Sequence, residues 1–309
     1  MSERYQKGEW IGGGGYADVY KAFDTLTGKT VALKELRVPS PENRRRFKRE
    51  RDMLRVHSYN PFIIDIYDWD LDAPTPYLVL EYSDLGSLEQ FVKNRKHWKL
   101  IARLVIHVSC ALHEVHQRQQ WHRDIKPSNI LLFRDSTGEL IAKLTDFGIA
   151  RKPDTTSGPV TDTPFGTKEY LDPVAKLNGR FTWHADIYAL GKTLRELLTG
   201  DRDGGVLAPG VPIQMQVLLS SMTSFFQSYR PTAEDVVRRL DELLEAPQPA
   251  PAQTAQPTLA VQPMGWKGVV GTLIAGLALA AVVNNVNGYD ENMGRYRDSK
   301  GRFRSDWWG

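Results

Sequence analysis

Nine residues in the middle of the chain, positions 121–129, constrain its fold more than any other stretch. They read Trp-His-Arg-Asp-Ile-Lys-Pro-Ser-Asn and lie between a run of helical periodicity and an apolar, strand-like run. A loop between a helix and a strand can hold polar groups in fixed positions, where catalytic residues tend to lie. Asp124 could accept a proton from a hydroxyl, Lys126 could neutralise a phosphoryl group, and Asn129 could offer an oxygen to a metal ion. The plain alternative is a polar surface loop with chance spacing.

A second candidate carboxylate lies at the end of the next hairpin that the sequence predicts. Residues 140–145 predict the second arm of a hairpin that turns at residues 135–138, and this arm is followed by Asp146. A carboxylate at a strand end beside Asn129 can bind Mg²⁺, a hard ion that prefers oxygen ligands. Phe147 is expected to pack inward and to set the position of Asp146.

A glycine-rich run near the N-terminus favours phosphate binding. Residues 9–11 predict a strand that enters four consecutive glycines at positions 12–15. Without Cβ atoms, the backbone N–H groups of these glycines can approach a phosphate closely. A flexible hairpin is the alternative for such a run alone, but a β-branched, apolar segment follows and ends in Lys34. Residues 27–29 fit the hairpin turn between the two strands.

A helix is predicted for Pro41–Val56, with Ser40 as its cap and the proline in its first turn. Glu50 shares a face of this helix with the apolar Phe47 and Leu54, which is an unusual place for a carboxylate. The rest of the helix carries a dense run of arginine and lysine. A solvated face is the simpler interpretation of this basic run, and a docking site for a partner is the alternative.

Together these segments resemble the motifs of the eukaryotic-type (Hanks-type) serine/threonine protein kinases, and they occur in that family's order. The loop matches H-R-D-x-x-x-x-N, the glycine run and Lys34 match the glycine loop and third strand, and Asp146 begins D-F-G. A lysine two residues after the aspartate is the form usual in Ser/Thr rather than Tyr kinases. The resemblance implies an α+β, two-lobed protein-kinase fold over residues 1–245. We expect a β-rich N-lobe at about residues 1–82 and a mostly helical C-lobe at about residues 83–245.

The resemblance also implies a reaction and its cofactors. ATP and Mg²⁺, or Mn²⁺ in its place, would serve transfer of the γ-phosphoryl group to a Ser or Thr hydroxyl of a protein substrate. The catalytic residues would be Asp124, which orients and deprotonates the hydroxyl, Lys126, which steadies the phosphoryl group, and Asn129. Asn129 and Asp146 would hold the metal.

The same resemblance assigns the nucleotide contacts. Lys34, fixed by Glu50, would position the phosphates of ATP, with Asp146 nearby. The remaining ATP contacts are implied for residues of the glycine loop, the neighbouring strands and the connector between the lobes: Ile11, Gly12, Gly14, Val19, Ala32, Glu81, Tyr82 and Leu131.

Departures from the family pattern bear on structure more than on chemistry. Residues 166–174 resemble the substrate-docking segment, but they end in Asp-Pro-Val where the family has Ala-Pro-Glu. That glutamate normally pairs with an arginine that matches Arg230, so Arg230 needs another partner, for which Asp172 is the candidate. Asp186 is expected to hold the backbone of the catalytic loop. Only 44 positions separate Asp186 from Arg230, which indicates a trimmed helix near residues 201–212.

Residues 151–165 are polar, rich in Thr, Pro and Gly, and resemble an activation loop. In the family, the arginine before the catalytic aspartate, Arg123 here, commonly pairs with a phosphate on this loop. We therefore expect autophosphorylation at Thr161 or Thr163, with activity rising as it occurs. Three further hydroxyls lie farther from the docking segment and are expected to be incidental acceptors: Thr155, Thr156 and Ser157.

The tail divides into three segments. Residues 246–267 form a Pro/Gln/Ala-rich linker, and residues 284–309 form a basic, aromatic tail. Residues 268–283 are uncharged and mostly apolar, and as a helix they would span about 24 Å, against a hydrocarbon core of ~30 Å. A transmembrane span is one interpretation of this segment, and an oligomerising, partner-bound or re-entrant helix is the other.

Composition narrows the function further. A net charge of +3 is too balanced for nucleic acid to be the main partner, and a single cysteine, Cys110, excludes an intrachain disulfide. The N-terminus lacks the apolar segment of a secretory signal, so we expect a cytoplasmic kinase domain, with membrane association through residues 268–283 as an open alternative.

Two other functions compete with a protein kinase: a small-molecule phosphotransferase of the kinase-like class and a membrane-tethered binding module with an inactive kinase domain. Lys126 and the docking segment oppose the first, and the intact Lys34, Asp124 and Asp146 oppose the second.

Overall fold

The computed structural model describes residues 4–92, 97–147 and 168–246 of the chain. All of them lie in one compact unit, Met1–Pro249. The expected activation loop at residues 151–165, the start of the docking segment and the tail beyond residue 246 fall outside the described residues.

The N-lobe is built on a five-stranded antiparallel sheet with the strand order β1-β2-β3-β5-β4. Its strands are β1 (Tyr5–Gly13), β2 (Ala17–Asp24), β3 (Lys29–Leu36), β4 (Ile66–Asp70) and β5 (Tyr77–Glu81). The turn between β2 and β3 places Gly28 at a φ of 68°, in the left-handed region that favours glycine, so the predicted turn is confirmed. One face of the sheet buries a cluster of apolar side chains: Tyr5, Ala22, Val31, Leu33 and Val79.

Helix α1 (Pro41–Val56) has the bounds that the sequence predicts. The Ser40 hydroxyl accepts a hydrogen bond from the backbone N–H of Asn43, which satisfies one of the free donors of the first turn. Phe47 and Glu50 lie on the buried face of the helix. The helix therefore presents a carboxylate to the interior of the lobe.

The C-lobe is mostly helical. Its elements are α2 (Leu88–Val92), α3 (Trp98–Gln117), the hairpin of β6 (Ile130–Arg134) and β7 (Leu140–Leu144), α4 (Pro173–Asn178), α5 (Trp183–Thr199), α6 (Ile213–Met222) and α7 (Ala233–Glu245). Helix α3 is buried along much of its length and packs against α5, α7 and β7. The α+β, two-lobed fold predicted from the sequence is confirmed.

The spacing of Asp186 and Arg230 predicts a trimmed helix in the connection between α5 and α6. Helix α5 ends at Thr199, the capping Gly200 has a φ of 79°, and residues 200–212 contain no helix. Within the described ranges, no helix is both long and apolar enough to cross a bilayer. Residues 268–283 lie outside those ranges.

The absence of the docking-segment glutamate is compensated by a buried ion pair. Arg230 donates two hydrogen bonds to the carboxylate of Asp172, at 2.7 Å and 2.8 Å, and neither side chain is exposed. Asp172 also caps α4 by accepting from the backbone N–H of Val174. The predicted partner of Arg230 is therefore confirmed, and it fixes the start of α4 to the segment before α7.

Candidate active site

Lys34 on β3 and Glu50 on α1 form a buried ion pair. Lys34 Nζ lies 2.5 Å from Glu50 Oε1 and 3.2 Å from Oδ1 of Asp146, which follows β7. The Glu50 side chain is fully buried, whereas 38% of the Asp146 side chain is exposed. One lysine thus joins α1 in the N-lobe to a partly accessible carboxylate in the C-lobe.

Burial and attraction compete in setting the pKa values of these three groups. Burial would lower the pKa of Lys34, but the nearby carboxylates of Asp146 and Glu50 outweigh it and hold that pKa well above its ordinary value. Burial raises the pKa of Glu50 against the opposing attraction of Lys34. Burial also acts to raise the pKa of Asp146, but the charge and hydrogen bond of Lys34 leave it below its ordinary value. At neutral pH the site therefore presents an ammonium and the Asp146 carboxylate.

The loop between β1 and β2 is tied to this site by two residues that the sequence analysis did not single out. The Tyr16 hydroxyl lies 3.5 Å from Glu50 Oε2, and its ring centroid lies 5.8 Å from Lys34 Nζ. Arg37 donates through Nη2 to the carbonyl of Gly14 and through its backbone N–H to that of Tyr16, each at 2.9 Å. Their place inside or just after the glycine-loop and lysine motifs is the only signal that the sequence offered.

Three glycines of this loop, Gly12, Gly14 and Gly15, leave open space beside the backbone. A Cβ built at Gly12 or Gly14 would meet no atom within 4 Å, whereas one built at Gly13 would lie 2.7 Å from an oxygen of Asp18. The glycines at positions 12 and 14 are thus not required by packing. Their bare backbone suits the close approach of a phosphate.

The catalytic loop holds three polar side chains together. Lys126 Nζ lies 2.9 Å from Asp124 Oδ2, and the Asn129 amide nitrogen donates to the same oxygen at 2.9 Å and to the Asp124 carbonyl at 2.8 Å. Residues 127–129 form a single 3₁₀ turn that brings the asparagine back towards the aspartate. The carboxylate of Asp124 is therefore oriented by one cation and one amide.

Asp186 at the start of α5 holds the backbone of this loop. Its carboxylate accepts the backbone N–H groups of His122 at 2.9 Å and Arg123 at 2.7 Å, and His116 Nε2 lies 2.9 Å from it. Burial would raise the pKa of Asp186, but these partners lower it below its ordinary value. The predicted role of Asp186 is confirmed, and it supports a strained turn in which Arg123 has a φ of 72°.

His122 joins the catalytic loop to the strand end that carries Asp146. His122 Nδ1 accepts from the backbone N–H of Asp124 at 3.3 Å, so Nε2 carries the proton and donates to the carbonyl of Thr145 at 2.9 Å. The buried ring of Phe147 packs edge-on against the imidazole, as the inward packing of Phe147 predicts. Asp146 itself has a φ of 65°, a left-handed conformation that is uncommon for a non-glycine residue.

The two expected metal ligands offer a donor set that fits Mg²⁺. The Asn129 amide nitrogen is directed at Asp124, which leaves its oxygen available, and Asp146 supplies a carboxylate. Both are hard oxygen donors. Among the described residues, no group of three or more His, Cys, Asp or Glu side chains forms a separate metal site.

Two of the remaining expected ATP contacts, Glu81 and Tyr82, lie where β5 ends and the connector begins. The Glu81 carboxylate accepts from Lys143 Nζ at 2.8 Å, so its side chain is occupied and any nucleotide contact there falls to its backbone. Tyr82 follows directly and is half-buried. The other residues of the set lie on β1, β2, β3 and β6: Ile11, Val19, Ala32 and Leu131.

Comparison with known proteins decides the family. The family model described as the protein kinase domain matches residues 5–203. The chain belongs to the protein kinase family. The match ends in the connection between α5 and α6. The resemblance to Hanks-type kinases inferred from the motifs is thereby confirmed.

The kinase domain has bacterial relatives among curated proteins. The serine/threonine-protein kinase PrkC of Bacillus subtilis is 38% identical over 205 residues, which cover 65% of this chain and 31% of the relative. The serine/threonine-protein kinase PknB of Mycolicibacterium smegmatis is 34% identical over 217 residues, which cover 65% of this chain and 33% of the relative. The chain thus spans about a third of the length of the curated relatives that it matches.

Proposed function

We propose that this chain is an ATP-dependent protein kinase that transfers the γ-phosphoryl group to Ser and Thr hydroxyls. The observation that supports this most is the arrangement around Asp124, whose carboxylate is held by Lys126 and Asn129. A second group, Lys34 with Glu50 and Asp146, supplies the cation and carboxylate that a nucleotide site needs. The names of the relatives, both serine/threonine-protein kinases, favour the same acceptor class.

In this proposal the residues of the chain position reactants and compensate charge. The substrate hydroxyl donates its proton to Asp124, which Lys126 and Asn129 keep in a fixed orientation. Lys126 then lies beside the oxygens on which negative charge accumulates, and Lys34 holds the phosphates of ATP. Asn129 and Asp146 would hold Mg²⁺, or Mn²⁺ as the alternative metal, which would supply neutralisation of phosphate charge.

A protein acceptor is favoured over a small molecule by the docking segment. Asp124 lines the same small pocket as Tyr170, Leu171 and Asp172. Asp172 is fixed by its buried pair with Arg230, so the end of the segment has a stable position beside the proposed base. A fixed backbone beside the acceptor site suits an extended peptide.

We tie the proposal to the Asp124 carboxylate. Asp124→Asn should lower phosphate transfer from [γ-³²P]ATP to a Ser/Thr-containing protein by at least about a hundredfold, because a general base contributes roughly that much. Lys34→Met should also abolish transfer, while thermal unfolding of both variants stays cooperative.

The matched control is Asp52→Asn, which changes an exposed aspartate on α1 and should keep full activity. Equal transfer by wild type and Asp124→Asn would overturn the proposal.

We further propose that the chain phosphorylates itself at Thr161 or Thr163. Both lie outside the described residues, so the proposal depends on their sequence position and on Arg123 beside the base. A phosphate adds about −1.5 to −2 charge, which Arg123 could pair with. Site mapping after preincubation with ATP, followed by a peptide assay of the Thr161→Ala/Thr163→Ala variant, tests it. Undiminished activity in that variant would exclude this switch.

We also propose that the kinase domain comprises residues 1–245 and works in the cytoplasm, where ATP is available. Residues 246–267 would then be a linker, residues 268–283 a helix that contacts a membrane or a second copy, and residues 284–309 a basic tail. The apolar composition of residues 268–283 supports this division.

A further inference from the structure

A groove lies on the outer side of α1, where the helix meets β4 and the loop that leads to β5. Its volume is about 480 Å³, within the range of roughly 300–1,000 Å³ that is usual for ligand sites. It is far larger than the small pocket beside Asp124, which holds about 10 Å³. We call it the basic groove, and the residues that line it are Arg44, Arg45, Phe47, Lys48, Arg51, Trp69, Asp70, Leu71, Asp72 and Pro76.

Positive charge predominates in the basic groove. Four cations from α1 face two aspartates, and the Asp70 carboxylate already accepts the backbone N–H groups of Asp72 and Ala73. Arg45 and Lys48 are exposed, and neither has a carboxylate partner among the described residues. An anionic group entering the groove would therefore meet cations that no acid of the described fold neutralises.

The floor of the basic groove carries apolar side chains. Phe47 is fully buried beneath it, and Trp69 and Leu71 are half-buried at its edge. The guanidinium of Arg51 lies 5.3 Å from the Trp69 ring centroid, which fixes a cation beside the aromatic surface. A free phosphate would leave this floor uncovered, and a flat bilayer would not enter a concave site. A peptide that carries acidic residues around one large apolar side chain matches both the floor and the rim.

We propose that the basic groove binds an acidic segment of a partner protein, with one large apolar side chain seated against Trp69 and Leu71, above the buried Phe47. Carboxylates on either side of that side chain would face Arg45 and Lys48. The proposal concerns binding alone, so it stands or falls independently of phosphoryl transfer. The basic run of α1 then has a ligand-binding role, the alternative that the sequence left open.

The test measures fluorescence anisotropy of a labelled acidic heptapeptide, Glu-Asp-Glu-Phe-Asp-Glu-Asp, with the full chain. Saturable binding is expected, weakening as salt is added because exposed charges are screened. Arg45→Glu/Lys48→Glu should weaken binding at least about tenfold, since two attractive contacts become repulsive. The matched control, Lys29→Glu/Lys176→Glu, reverses two exposed cations outside the groove and should bind as wild type does.

Three further probes separate the alternatives. The same peptide with glycine in place of phenylalanine should bind more weakly, and a version with lysine in place of every acid should not bind. Inorganic phosphate and phosphatidylserine vesicles should not distinguish wild type from Arg45→Glu/Lys48→Glu. Equal peptide binding by wild type and that variant would overturn the proposal, as would absence of saturable binding. If Arg45→Glu/Lys48→Glu loses phosphate or vesicle binding, and the peptide with glycine in place of phenylalanine binds as well as the original peptide, the groove is a simple anion or membrane site instead.

Discussion

Arg37 shows how a single exposed side chain can matter to a site that it does not enter. Its guanidinium donates to the Gly14 carbonyl at the tip of the loop between β1 and β2 and lies 3.4 Å from the Asp18 carboxylate. Its backbone N–H separately holds the Tyr16 carbonyl. A substitution of the side chain therefore removes one restraint on the loop and keeps the other.

We predict that Arg37→Ala raises the KM for ATP by about two- to tenfold and leaves kcat within about twofold. One hydrogen bond of this kind contributes roughly 0.5–1.5 kcal/mol, and the loop would be less well placed for phosphates. Steady-state kinetics over a range of ATP concentrations measures both constants. Arg37→Lys keeps the charge but lacks the planar guanidinium group. Its KM for ATP should therefore lie between those of the wild type and Arg37→Ala. An unchanged KM in Arg37→Ala would show that the backbone bond alone holds the loop.

The protonation of His107 on α3 should make the stability of the fold depend on pH. Its Nδ1 accepts from the backbone N–H of Ala142, its ring stacks on Phe62, and burial lowers its pKa to about 4, with Asp135 opposing and Arg103 adding to the shift. Because the folded-state pKa lies below the unfolded value of about 6.5, the unfolded chain binds more protons between these values. The stabilising effect of neutral His107 is therefore complete above about pH 6.5 and is lost as pH falls towards 4.

Urea unfolding at pH 7 and pH 5 tests this. Wild type should lose about 2 kcal/mol more stability over that interval than His107→Asn, which supplies an acceptor without a titrating group. The comparison removes the contribution of other titrating groups, since both proteins share them. Equal losses would mean that His107 is protonated in the folded protein without cost.

At the scale of elements, the Asp172–Arg230 pair anchors α4. Both side chains are fully buried, so removing one charge leaves the other without compensation, at a cost of about 3–5 kcal/mol. Asp172→Asn isolates this effect, because asparagine can still cap α4 through the bond to Val174. We expect a lower urea midpoint for this variant.

The double variant Asp172→Asn/Arg230→Met supplies the control. If the pair acts as a unit, the double variant should lose less stability than the sum of the two single variants. Additive losses would show that Arg230 is held mainly by its bonds to the carbonyls of Ser224 and His184.

A helix or strand can be predicted from the sequence where the residues that determine it lie within or next to it. Helix α1 is predicted to the residue, because Ser40 and Pro41 mark its start and its apolar spacing marks its length. The polar loop around Asp124 and the partner of Arg230 were also accessible, since motif and spacing carry them. The contact of Arg37 with Gly14 and the stacking of His107 on Phe62 were not, because each joins residues that are distant in the sequence and share no motif. Periodicity and motifs hold no information about such pairs.

At the scale of the whole molecule, the described lobes are joined by specific contacts in addition to the connector. Lys34 reaches Asp146, and the buried His57 after α1 lies 2.5 Å from Glu114 Oε1 on α3. Backbone bonds link Ile64 and Phe62 to Leu144. These contacts link the two lobes directly, within the part of the chain that the structure describes.

We predict that a variant ending at Glu245 keeps the phosphate-transfer rate of the full chain within about twofold, because every residue proposed to take part in phosphate transfer lies in residues 1–245.

The full chain should differ from this variant in its binding to membranes or to a second copy, since residues 268–283 are an uncharged, mostly apolar run that is unfavourable to leave in water. Sedimentation with and without vesicles measures this, and the full chain should pellet with vesicles or sediment as an oligomer while the shorter variant does neither. Replacing Leu273 and Leu277 with aspartate in the full chain is the control and should restore the behaviour of the shorter variant. If the full chain and the shorter variant both sediment as monomers that ignore vesicles, residues 268–283 bind neither membrane nor a second copy, and the proposed division of the tail is wrong.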